Sequence, residues 1–119
     1  LAHAMFELPL LQASTHARTG WGQWLAELVA TFGLLVTILS LRKAGPQTIP
    51  FMVGLYIAGA YWFTASTSFA NPAVTIARAF TDTFAGILPS DVLPFITAQI
   101  LGGLLATVFS WWQFQLPRR

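Results

Sequence analysis

Three stretches of the chain carry almost no charge: WLAELVATFGLLVTILSL at 24–41, FMVGLYIAGAYWFTAS at 51–66 and VLPFITAQILGGLLATVFSWW at 92–112. A helix rises about 1.5 Å per residue and needs about 20 apolar residues to cross about 30 Å of hydrocarbon. A soluble fold would need a charged surface to cover such rods. Only 8% of the 119 residues are charged, against about 25% in a soluble domain. The chain therefore belongs in a lipid bilayer. In hydrocarbon the backbone must satisfy its own hydrogen bonds, which favours helices. The expectation is an all-α membrane protein with spanning helices over about 22–42, 49–66 and 91–113.

The flanks orient these spans. Arg42, Lys43, Arg118 and Arg119 follow the first and third helices, which an antiparallel arrangement puts on one side, and an excess of Lys and Arg marks the cytoplasmic side. The C-terminus is therefore expected in the cytoplasm, with Asp82 and Asp91 outside. Trp21, Trp24, Trp111 and Trp112 lie near span ends, where tryptophans anchor at the interface. Ala98, Gly102, Ala106 and Ser110 recur every four residues, as do Gly54 and Ala58, and Ala26 and Ala30. Such stripes let another helix backbone approach closely.

Other chemistries find little support. The net charge of +2 rests on few groups, and a nucleic-acid partner would need a clustered basic face. Without cysteine there is no thiolate metal site. His3, Glu7 and His16 show no metal-ligand spacing and read as loop or helix-end residues. No nucleophile–base pair or phosphate-binding glycine loop is present, so neither an enzyme nor a cofactor is expected. Residues 1–6 read as the tail of an earlier helix and 7–20 as a polar loop.

One segment does not fit a simple bundle. In FANPAVTIAR, residues 69–78, Asn71 suits a helix cap and Pro72 the first helical position, where its missing N–H costs nothing. A helix over about 72–84 is too short to cross. The spans on either side require the chain to dip in and return on the same side. Thr64 to Ala70 would descend and 72 onward would return as a half-helix. Irregular backbone survives at that depth only if it is buried in protein or lines a water-filled cavity. The N-terminus of this half-helix is thus expected to face a pore.

These residues resemble a known family. Asn71-Pro72-Ala73 at the head of a re-entrant half-helix is similar to the second NPA motif of the aquaporin, or major intrinsic protein, family. The stretch AELVATFGL, with Glu27 and Thr31, resembles its Glu-x-x-x-Thr signature, and a glycine- and tryptophan-rich span follows. The resemblance covers the chain from the end of the family's third helix onward. It implies one inverted repeat of the aquaporin fold, three transmembrane helices plus one re-entrant half-helix, with the first repeat missing. It also implies a homotetramer for the full-length protein. Asn71 would donate its amide to a passing solute, and the carbonyls of Thr67, Ser68 and Phe69 would form an acceptor ladder. Glu27, a carboxylate costing about 2.5–3.5 kcal/mol within a span, would hold the 65–70 leg by accepting from its backbone. The alternative is a carboxylate at the interface, three residues past Trp24.

The chain departs from the family at the filter. An Arg usually follows the second NPA; here Val74 does. By family spacing the other filter positions in this half are Gly59 and Ser68. The three together imply a wide pore, similar to that of aquaglyceroporins, for small neutral solutes such as glycerol, metalloid hydroxides and water. A water-selective pore is the alternative. Arg78 lies one turn past Val74 and reads either as a replacement charge in the outer vestibule or as a snorkelling residue bonded to loop carbonyls. From a different class comes a membrane fragment that conducts nothing without its first repeat. Residues 1–119 alone are expected not to conduct.

Overall fold

The computed structural model describes residues 1–42 and 44–115, all helix and connecting loop. Lys43, Arg118 and Arg119, three of the four basic residues that orient the spans, lie outside them. Five helices follow in chain order: α1 Ala2–Met5, α2 Trp21–Ser40, α3 Thr48–Phe63, α4 Pro72–Arg78 and α5 Pro89–Gln115. Two of these, α2 and α5, are long and apolar enough to cross a membrane.

Helix bounds differ from expectation by a few residues, and at three places the reason is local. α3, at 16 residues, is about 24 Å long and falls short of a full span. It ends at Phe63 because Thr64 is extended (φ −102°, ψ 138°), with its hydroxyl and its N–H both donating to the Ala60 carbonyl. α4 stops at Arg78 rather than near 84. The Arg78 and Ala79 carbonyls, which a continuing helix would use, accept instead from the N–H groups of Ile87 and Ser14. α5 begins at Pro89, where a proline at the first position needs no N–H partner.

Packing centres on α2 and α5. Ala98, Gly102, Ala106 and Ser110 are all buried, as are Ala26 and Ala30 of α2. A Cβ at Gly102 would collide with the Leu28 carbonyl, so the two backbones touch there as the small-residue stripe requires. Phe32 and Phe109 meet at 5.7 Å further along the same seam. α3 leans on α2 through Tyr56, which donates to the Ala30 carbonyl at 2.9 Å and fills the space beside Gly33. The Gly54–Ala58 stripe of α3 is exposed, with open space beside Gly54. That packing face has no partner among the described residues. Leu101, Leu104, Leu105 and Val108 of α5 are exposed too, as a lipid-facing side would be.

The main apolar cluster lies at the loop-rich end, where Phe69, Ala79, Ile87 and Phe95 bury one another, with Trp24, Val74 and Val92 against them. Residues from the α3–α4 connection, α4, the following loop and α5 thus share one core. The 7–20 loop is tied across it by backbone bonds, Ser14 N–H to Ala79 O and Leu88 N–H to His16 O.

Candidate functional site

The segment between α3 and α4 is held in a conformation its own residues do not favour. Thr67, Ser68 and Ala70 have φ of 62°, 47° and 48°, in the left-handed region that costs a non-glycine residue about 1 kcal/mol or more. Such backbone persists only when its surroundings over-determine it, and here the restraints are identifiable.

The first is Glu27, fully buried on α2. Its Oε1 accepts from the Ser66 hydroxyl at 2.6 Å and the Phe69 N–H at 2.8 Å. Its Oε2 accepts from the Ala70 N–H at 2.8 Å and from Gln99 Nε2 at 2.7 Å. Four donors converge on one carboxylate, which lets a charge be buried without a cation in contact. Gln99, from α5, also donates to Thr75 Oγ1 at 2.8 Å, and Thr75 donates to the Asn71 carbonyl at 2.9 Å. A continuous network therefore links α2, the leg, α4 and α5.

Asn71 caps α4 with its side-chain oxygen, which accepts from Ala73 N–H at 2.8 Å and Val74 N–H at 3.4 Å. This assigns the amide: Nδ2 is the free end. Asn71, Pro72 and Ala73 are all exposed, and Nδ2 has no hydrogen-bond partner among the described residues. The acceptors beside it follow a pattern. The Ala65 carbonyl accepts from Gln23 Nε2 at 3.0 Å and the Ser66 carbonyl from Arg18 Nη1 at 2.9 Å. Among the described residues, the carbonyls of Thr67, Ser68 and Phe69 accept nothing. Unpaired main-chain acceptors are uncommon in folded proteins, and three in succession form a row of available oxygens.

The remaining expected positions are placed as follows. Gly59 is exposed on α3 with open space where a Cβ would stand. Ser68 is buried, its hydroxyl without a partner among the described residues. Val74 is half-buried against the Phe69 cluster. Arg78, half-buried, lies with its Cζ 4.3 Å from the Phe69 ring centroid, and its Nη1 is buried without a partner among the described residues. His3 joins the chain start to the far loop, with Nε2 2.6 Å from Thr81 Oγ1.

Arg18, Ser66, Thr75 and Gln99 were not marked by the sequence reading. Gln99 had a visible signal, a lone amide within the apolar run FITAQILGG. Arg18 had none, since a basic residue in a polar loop normally faces water. It is 4% exposed, donating through Nε to Gly86 O at 2.7 Å, through Nη1 to Ser66 O and through Nη2 to Phe84 O at 2.8 Å. Burial lowers its pKa and the nearby Arg78 lowers it further, with Glu27 and Tyr61 opposing.

At the same end Asp82 accepts from the N–H and the hydroxyl of Thr15, at 2.7 and 2.8 Å. The N–H bond first and then the hydroxyl hold its carboxyl below the usual range. A lowered folded-state pKa adds stability above the ordinary aspartate pKa, and that stability is lost as pH falls through the lowered value. The Thr15 amide resonance is accordingly expected to report release of this loop on acidification, with the transition absent in Asp82→Asn.

Helices of membrane-crossing length, a strained leg anchored to a buried carboxylate and a short helix capped by Asn-Pro-Ala define a helical integral membrane protein. The chain is 53% identical over 118 residues, 99% of its length, to Aquaglyceroporin AqpS of Rhizobium meliloti (strain 1021). It spans about half of that relative, 51% of its length, and is similar to the C-terminal half of an aquaglyceroporin. No family model and no solved structure matches it.

Proposed function

We propose that this chain forms one of the two inverted repeats of a channel, not an enzyme, that passes small neutral solutes such as glycerol, metalloid hydroxides and water. In this reading α2, α5 and the shorter α3, whose 16 residues cross most of the hydrocarbon, are the three transmembrane helices, and residues 64–78 re-enter the membrane, the leg descending and α4 returning. The observation that carries it is the row of free carbonyls at Thr67, Ser68 and Phe69 beside the free amide of Asn71. A hydroxylated solute leaving water needs both acceptors and a donor, and fixed main-chain groups replace its hydration. The positive end of α4, worth up to about half a charge, repels cations at the same point.

Gly59, Ser68 and Val74 serve as this half's share of the filter. A glycine at position 59, which leaves more room than any side chain would, favours polyols over the water-selective alternative. Glu27 supports the leg, and the unpartnered Nη1 of Arg78 suits a charge at the vestibule. The other wall belongs to the missing N-terminal repeat, which would also cover the exposed face of α3, and the assembled channel is a homotetramer in a bacterial inner membrane with a cytoplasmic C-terminus. Similarity to one half of an aquaglyceroporin supports the channel reading.

The test joins residues 1–119 to the N-terminal half of the Rhizobium meliloti relative in proteoliposomes. Glycerol gradients are expected to swell vesicles carrying the joined protein and not those carrying residues 1–119 alone. Swelling under a water gradient without glycerol entry would select the water-selective reading. Glycerol entry through residues 1–119 alone would refute the half-channel.

A further inference from the structure

We propose that Arg18 is a positioning residue for the acceptor ladder, fixing the carbonyl side of the leg as Glu27 fixes its amide side. The inference rests on the channel reading only for the use made of the ladder; the geometry of the leg is independent of it.

Ser66 is the last residue before the left-handed run, and it is pinned at two atoms. Its hydroxyl donates to Glu27 Oε1 at 2.6 Å, while its carbonyl accepts from Arg18 Nη1 at 2.9 Å. The Ser68 N–H comes back to the Ser66 hydroxyl at 3.3 Å. With both ends of Ser66 fixed, the peptide planes of 67–69 have little freedom to turn their carbonyls inward. The Arg18 guanidinium also sits 4.8 Å from the Phe69 ring centroid, and that ring packs edge-on against Phe95 at 5.4 Å. Arg18 thus touches the leg at both ends of the 66–69 stretch.

Arg18 is itself fixed. Its N–H donates to Asp91 Oδ2 at 2.8 Å and the neighbouring Thr19 hydroxyl donates to the same carboxylate. Its other two guanidinium bonds reach Phe84 and Gly86. A planar fork spanning carbonyls of two separate segments is a geometry that arginine meets and lysine, a compact point charge, does not. The role therefore lies in the fork rather than in the charge alone.

Hydrogen exchange in the joined, membrane-reconstituted protein reads the leg directly. Arg18→Gln and Arg18→Lys are both expected to speed exchange at the Phe69 and Ala70 amides about tenfold or more, as loss of a charged hydrogen bond implies. The α5 amides from Leu101 to Ala106 should keep their protection. Glycerol permeability should fall in both variants at equal protein level. Unchanged leg amides in Arg18→Gln, or full rescue by lysine, would overturn the proposal. If the parent passes no glycerol yet the leg loosens in Arg18→Gln, the positioning role stands and the channel reading fails. If the parent conducts and the leg does not respond, the reverse holds.

Discussion

On the proposed channel function, Glu27→Gln is expected to cut solute flux through the joined protein severalfold or more, although the two side chains have nearly the same shape. Each carboxylate oxygen of Glu27 faces a main-chain N–H, Phe69 on one side and Ala70 on the other. An amide presents one oxygen and one NH2, so either orientation sets donor against donor. Gln99 can turn its free oxygen toward the new NH2, but only by withdrawing its donation to Thr75. At least one buried donor is orphaned, at about 1–3 kcal/mol. That lowers the ratio of held to relaxed leg about five- to a hundred-and-fortyfold. The left-handed residues of the leg then relax, since nothing intrinsic keeps them there. Glycerol uptake in proteoliposomes checks the loss, and faster exchange at the Ala70 amide locates it. Glu27→Ala orphans all four donors and is expected to prevent stable folding.

Gly102→Ala should lower thermal stability far more than Gly103→Ala, one residue away in the same helix. At Gly102 the added methyl meets the carbonyl of Leu28, which belongs to the α2 backbone and can yield only if the helices part. At Gly103 it meets the Leu35 Cδ1 at 3.2 Å, the far end of a flexible side chain. Overpacking costs about 1–3 kcal/mol, and more where backbone must shift. Parting α2 from α5 would also draw Glu27 away from Gln99, so the Gly102 variant is expected to lose flux along with stability. Melting of the detergent-solubilised protein, with Gly103→Ala as control, separates the two. Equal melting temperatures would show that the seam is not closely packed there.

Much of this molecule is legible in its composition and spacing. Long apolar runs with almost no charge mark α2 and α5 because hydrocarbon tolerates little else. Asn71-Pro72 marks the start of α4 because capping chemistry is local. The α2–α5 seam is visible as a small-residue stripe. What sequence hides is long-range. α4 ends at Arg78 because Ser14 and Ile87, distant in sequence or across a loop, take the carbonyls that follow. Nothing in Thr67-Ser68-Phe69-Ala70 announces left-handed backbone, since no glycine is present to signal it. Arg18 reads as a solvated loop charge until the fold brings three carbonyls around it. Gln99 alone had a local clue, an amide where the bilayer penalises one.

The supports of the leg also have an order in time. A chain leaving the ribosome amino end first delivers Arg18 and Glu27 before residues 64–79, but Gln99 and Asp91, which complete the network, only with the last helix. Until α5 arrives, the leg has its carboxylate but neither the second helix wall nor the clamp on the Arg18 loop. The fold of this chain is therefore completed from its carboxyl end, and truncation there is expected to release a turn encoded some thirty residues earlier.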